Sequence, residues 1–128
     1  MKTLIKICGL TTQESVDVAV QSGADLIGFV FAKISPRCIS PEQARQLSEP
    51  IPEQVKTTAV MLHPSDAEVQ EVFDKFPADY LQTDAEDFAS LNLPEGCRPL
   101  KVYRDLPGFD PSDIDPRVLS LFEGKNSG

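Results

Sequence analysis

No stretch of this 128-residue chain approaches the roughly 20 consecutive apolar residues that span a bilayer. The opening, MKTLIKICGL, is interrupted by Lys6 and leads into no hydrophobic signal core, so no secretory leader is expected. Clustered basic residues are missing as well. Twelve Lys and Arg stand against 20 Asp and Glu, for a net charge of -8 and a pI of about 4.5. That balance argues against nucleic acid or an anionic membrane as partner, but leaves a small anionic substrate open, because a pocket can be basic inside an acidic protein. Cysteine is scarce. Cys8, Cys38 and Cys97 are odd in number and show neither CxxC nor zinc-ligand spacing. A cytoplasmic chain with reduced thiols and no metal is the expectation. The proline- and acid-rich segment DLPGFDPSDIDP (105–116) lacks the spacing of a calcium loop and reads as a connection.

What is present is an alternation. Strand-like TLIKICGL (3–10), ADLIGFVFA (24–32), KTTAVMLH (56–63), ADYLQT (78–83), RPLKVYRD (98–105) and RVLSLFEG (117–124) are separated by helix-like TTQESVDVAVQSG (11–23), SPEQARQLSE (40–49), PSDAEVQEVFDKF (64–76) and the short DAEDFASLN (84–92). Thr11-x-x-Glu14, Ser40-x-x-Gln43 and Ser65-x-x-Glu68 each fit a capping box, and Pro41 suits a first helical position. Val16, Ala19 and Val20 share one helical face, as do Val69, Val72 and Phe73, and Gly23 suits a helix C-terminus. Strand, cap and helix recurring about every 25 residues mean βαβ units on a parallel sheet, in one domain over residues 1–128. Two architectures follow, a doubly wound open sheet or a (β/α)8 barrel. Polar Lys6, Cys8, Gln82, Lys101 and Glu123 within or at the ends of otherwise apolar strands lean toward a barrel, whose catalytic mouth collects residues from several strand ends. A flavodoxin-like sheet would call for a glycine-rich phosphate loop after the first strand, and CGLTTQ has one glycine. A complete barrel takes about 200 residues or more. Six strands therefore read as the front part of one.

Cysteine is by default a small buried hydrophobe. At Cys8 the setting points elsewhere: it ends a strand, precedes Gly9 and a helix start, and shares a face with Lys6, and both a cation and a helix N-terminus favour thiolate. A thiolate there can act as base or nucleophile. Glu123 at the end of strand six reads either as a solvated loop acid or as the proton donor opposite that thiol. Arg37, in the stiff SPR loop after strand two, suits a carboxylate or phosphate. Gln82 reads as an inward amide or a polar strand end, His63 as a catalytic strand-end histidine or, being a lone histidine before a proline, more often a loop residue, and Cys38 and Cys97 as structural.

IKICGLT (5–11) followed by GADLIGFVFAKISPR (23–37) resembles the N-terminal signature of the phosphoribosylanthranilate isomerase family of tryptophan biosynthesis. The likeness continues through AVMLH, LQTD, PLKVYRD and LSLFEG. It implies a (β/α)8 barrel, a cytoplasmic enzyme without a cofactor, and a phosphorylated small-molecule substrate, with monomer or homodimer left open. The implied reaction is the Amadori rearrangement of N-(5-phosphoribosyl)anthranilate to 1-(2-carboxyphenylamino)-1-deoxyribulose 5-phosphate. Cys8 would be the general base, Glu123 would hold the general acid position, and Arg37, Lys6 and Gln82 would contact substrate. Two positions depart from the family pattern. Glu123 stands where an aspartate is usual, and LQTDA replaces VQLHG, so Thr83 and Asp84 take the places of Leu and His. The phosphate grip of such barrels follows strands seven and eight. The alternative is a non-catalytic partial barrel that needs a complementary chain.

Overall fold

In a computed structural model, residues 3–104 and 120–123 are described. Six strands alternate with helices: β1 Lys6–Cys8, α1 Gln13–Gln21, β2 Leu26–Val30, α2 Pro41–Ser48, β3 Lys56–Val60, α3 Asp66–Lys75, β4 Tyr80–Asp84, a 3-10 helix Ala85–Ser90, β5 Arg98–Arg104 and β6 Ser120–Glu123. All neighbours are parallel and the spatial order equals the chain order, β1 to β6. A doubly wound sheet reverses its order at a switch point. This one never does, which is the winding of a (β/α) barrel wall.

Helix starts follow their caps. Ser40 and Ser65 each accept from the backbone N–H three residues on, and Gln43 and Glu68 reach back to complete capping boxes. The first helix differs from the expected Thr11 box. It starts one residue later, where Thr12 Oγ1 accepts from Ser15 N–H and the Ser15 hydroxyl donates to the Thr12 carbonyl, so Glu14 has no capping role. The segment after β4 is a 3-10 helix, with Asp87 turned toward Thr83 and His63.

β2, β3 and β4 are buried on both faces. Ile27, Phe29, Ala59 and Leu81 pack under the helices with Val16, Val69 and Phe73. Alternate residues Leu26, Val30, Leu100 and Val102 are also buried but stand apart from that cluster. The register puts them in rows with Cys8, Thr58 and Gln82 on the opposite face, the one a barrel encloses. Lys101, expected among the inward polar residues, pairs instead with Thr83 and Ser120. It therefore lies on the helix side, because side chains alternate along a strand.

The N-terminal edge of the sheet carries a repeated staple. Asp25, just before β2, accepts the Ile5 N–H through Oδ2 at 2.9 Å. Asp79, just before β4, accepts both the Thr57 N–H at 2.9 Å and the Thr57 hydroxyl at 3.3 Å. In sequence these are the Ala-Asp pairs of GADLIGF and PADYLQT.

Candidate active site

The site forms at the C-terminal ends of the strands. β1 ends because Gly9 takes a left-handed φ of 78°, turning the chain toward α1 just after Cys8. Gly28 lies across from Cys8 in the register, and Gly9 N–H donates to the Gly28 carbonyl at 3.0 Å. A Cβ on Gly28 would lie 2.6 Å from Cys8 Cβ and 3.3 Å from Lys6 Cε. The missing side chain of Gly28 is thus the space into which Cys8 and Lys6 pack. Sequence reasoning passed over this residue. The available signal was a glycine inside a strand, which marks close approach of another chain segment.

The loop after β2 is folded back on its own strand. Cys38 bridges to Val30, and Ile39 N–H donates to the Val30 carbonyl at 3.0 Å. Within the loop Ser35 N–H donates to Ala32, Cys38 N–H to Ser35, and Ser35 Oγ accepts from Arg37 N–H at 3.2 Å. These bonds carry Arg37 over the β1 end. A Cβ built on Gly9 would collide with Arg37 Nη1, so the guanidinium crosses the Gly9 backbone.

Cys8, Arg37, Gln82 and Asp84 line one cavity of about 400 Å³. Its apolar wall includes Val30, Val60, Met61, Leu62 and Val102. That volume and mixture fit a small ligand carrying an aromatic or other apolar part. Cys8 is half-buried and Arg37 exposed, while Gln82 is 6% exposed and its Oε1 has no hydrogen-bond donor among the described residues. A buried carbonyl without a donor is costly. It is satisfied when a ligand or water brings an N–H or O–H into the cavity. Thr58 Oγ1, fully buried on the same face, is in the same position.

The expected site residues are therefore largely gathered: Cys8, Arg37 and Gln82 share the cavity, and Lys6 flanks Gly28 behind Cys8. Glu123 ends β6 and pairs in register with Arg104. Its side chain and the connection 105–116 lie outside the described residues. His63 lies in the loop after β3, as its sequence setting suggests, and meets β4 and the segment after it. Its Nδ1 is 2.9 Å from Asp87 Oδ2 and its Nε2 is 3.8 Å from Asp84 Oδ2.

The other thiols differ from Cys8 in setting. Cys38 and Cys97 are unpaired, and burial pushes the Cys97 thiol up to about 11 from an ordinary 9.0. At pH 8 its thiolate fraction is then ~100-fold below that of an ordinary cysteine. Iodoacetamide at pH 8 is expected to leave Cys97 largely unmodified while an unfolded control is fully labelled, as peptide mass mapping would read. Equal labelling of Cys97 in folded and unfolded protein would contradict this. The linked stability has a definite sign. A raised thiol pKa leaves the folded state unpenalised below pH 9 and weakens it as pH climbs from 9 toward 11.

Comparison with known proteins supplies the frame. Residues 5–95 match the family N-(5'-phosphoribosyl)anthranilate (PRA) isomerase. The chain is 39% identical over 111 residues to N-(5'-phosphoribosyl)anthranilate isomerase of Bordetella petrii, covering 86% of this chain and 50% of that protein. It is 51% identical over 80 residues to the enzyme of the same name from Streptococcus mutans, covering 62% and 41%. It thus spans about half the length of the curated relatives it matches. Among solved structures it superimposes on phosphoribosyl anthranilate isomerase from Thermus thermophilus with a TM-score of 0.79 at 26% identity, over 96% of this chain and 63% of that one. A second phosphoribosyl anthranilate isomerase, solved with reduced 1-(o-carboxyphenylamino)-1-deoxyribulose 5-phosphate, gives a TM-score of 0.75 at 25% identity, over 98% and 66%.

Proposed function

Because the chain belongs to the N-(5'-phosphoribosyl)anthranilate isomerase family, we propose that it carries the thiol half of that isomerase site, as the N-terminal portion of one barrel domain. The supporting observation is the shared cavity, which puts Cys8, Arg37 and a buried unsatisfied Gln82 Oε1 around an apolar wall able to hold an anthranilate ring.

The proposed chemistry needs one acid and one base. Glu123 donates a proton to the furanose ring oxygen, the C1'–O bond breaks, and the anthranilate nitrogen lone pair forms the C1'=N bond of a protonated Schiff base. The Cys8 thiolate then takes the proton from C2', and those electrons become the C1'–C2' bond order as the C=N electrons return to nitrogen. The resulting enolamine shifts its proton from the C2' hydroxyl to C1' and becomes the aminoketose. Arg37 pairs with the anthranilate carboxylate in this reading. Gln82 Oε1 accepts from a substrate N–H or O–H, and Lys6 supports the thiolate from behind. Phosphate sites in (β/α)8 barrels follow strands seven and eight. The described sheet, β1 to β6, accordingly supplies the ring-binding and proton-transfer part.

The test combines intact mass, turnover and binding on one sample. The 14.0 kDa chain is expected to bind the reduced product analogue by calorimetry, with Arg37→Ala weakening it at least tenfold. Turnover of the phosphoribosylanthranilate substrate by that species supports the full reading. Binding without turnover favours a half-site that needs a complementary chain, a reading carried by the chain's half-length match to its relatives. Neither binding nor turnover would overturn the proposal.

A further inference from the structure

A second chemical grouping adjoins the cavity through Asp84. One ligand atom each from His63, Asp84 and Asp87 lies within 4.8 Å of the other two. The three come from different places: His63 follows β3, Asp84 ends β4, and Asp87 stands in the 3-10 helix. Asp84 and Asp87 are half-buried and His63 is exposed. Asp87 is held in place, since the Thr83 hydroxyl donates to its Oδ2 at 2.7 Å and the His63 ring lies 2.9 Å from the same oxygen.

The proton transfer proposed above uses none of these three side chains. Two carboxylates and an imidazole bring two negative charges and a borderline nitrogen donor, which a divalent ion of the manganese-to-zinc series neutralises and ligates. An anion would be repelled. Ligand atoms around an ion at about 2.0–2.2 Å stand roughly 3–4 Å apart, so the grouping closes with small side-chain rotations. A separate observation asks for an occupant with donors. Gln82 Oε1, two residues before Asp84 on the same strand face, is buried, lines the cavity that Asp84 also lines, and accepts no hydrogen bond among the described residues. Water molecules on a dication are strong donors toward such an oxygen.

We infer that His63, Asp84 and Asp87 form a divalent transition-metal site beside the cavity, the ion taking the place of the contact between His63 Nδ1 and Asp87. Thr83 fixes one ligand, as partners behind a metal ligand commonly do. The site does not depend on the isomerase reading.

Equilibrium dialysis of the chelator-treated chain against Co2+ tests it, with the absorption spectrum recorded. One Co2+ per chain is expected, without the sulfur charge-transfer band that a cysteine ligand would give. Asp87→Asn and His63→Asn should each weaken binding at least tenfold. Asparagine tolerates the left-handed φ of 43° at position 63, so that variant removes the imidazole while respecting the turn. Circular dichroism checks that both variants fold. Cys97→Ser should bind as the parent does. Failure to retain Co2+, a sulfur band, or undiminished binding in both folded variants would each overturn the assignment.

Discussion

Replacing Cys8 by alanine is expected to cut conversion of phosphoribosylanthranilate by ~10²–10⁴-fold, the usual worth of a positioned general base. The comparison is made on the chain itself, or on the chain joined to the C-terminal portion of the Thermus relative if the chain alone binds without turnover. The loss should fall on kcat, with analogue affinity changed little, because Arg37 and the apolar wall remain in the variant. Cys8→Ser should be nearly as inactive, since a hydroxyl is far less acidic than a thiol and supplies almost no anion near neutral pH. Melting temperature should move little, because the side chain is only half-buried and alanine leaves space at a cavity wall. Retention of more than about a tenth of the parent rate in Cys8→Ala would remove the thiol from the proton transfer and leave Asp84 as the next acid or base along the cavity wall.

The second large effect is expected from a residue with no side chain. In Gly28→Ala the new methyl would sit 2.6 Å from Cys8 Cβ and 3.3 Å from Cys8 Cα. Rotation cannot relieve a Cβ–Cβ overlap, so β1 must move away from β2 along the pair Cys8 and Gly28. Overpacking of this kind costs about 1–3 kcal/mol, a fall in Tm of roughly 5–10 °C for a chain of this size. Chemistry should suffer more than stability. A displacement of ~1 Å at the thiol is enough for ~100-fold in rate. Thermal unfolding and steady-state kinetics on the same preparation separate the two effects. A Gly28→Ala protein with parental Tm and kcat would show that β1 is not held against β2 as described.

Periodic features were readable from the sequence for a physical reason. A helix with Val69, Val72 and Phe73 on one face, opened by Ser65 and Glu68, carries its own boundary in local hydrogen bonds and a 3.6-residue repeat. The same local logic failed by one residue at α1. There Thr11 and Thr12 are both able caps, and only Ser15 returning to the Thr12 carbonyl decides between them. Inward alternation identified Cys8 and Gln82 but misassigned Lys101, because the phase of a strand is set by the partner it registers with. Contacts between distant segments were the least legible. Arg37 lying over Gly9, Gly28 yielding space to Cys8, and His63 meeting Asp84 and Asp87 each join elements some 20 or more residues apart. No window of sequence contains both partners.

The aspartate staples at the far edge of the sheet bear on how such a protein can change over time. Asp25 and Asp79 fasten neighbouring strands at the end opposite the cavity, without using any residue that lines it. Mutational tolerance is therefore unequal along each strand. At the stapled end, losing either carboxylate removes strand-to-strand hydrogen bonds worth about 0.5–1.5 kcal/mol each. Substitutions among the residues that line the cavity, Thr83 and Asp84 included, leave both staples in place. A lineage built this way can try new ligands at one end of a strand without staking its folding on the outcome.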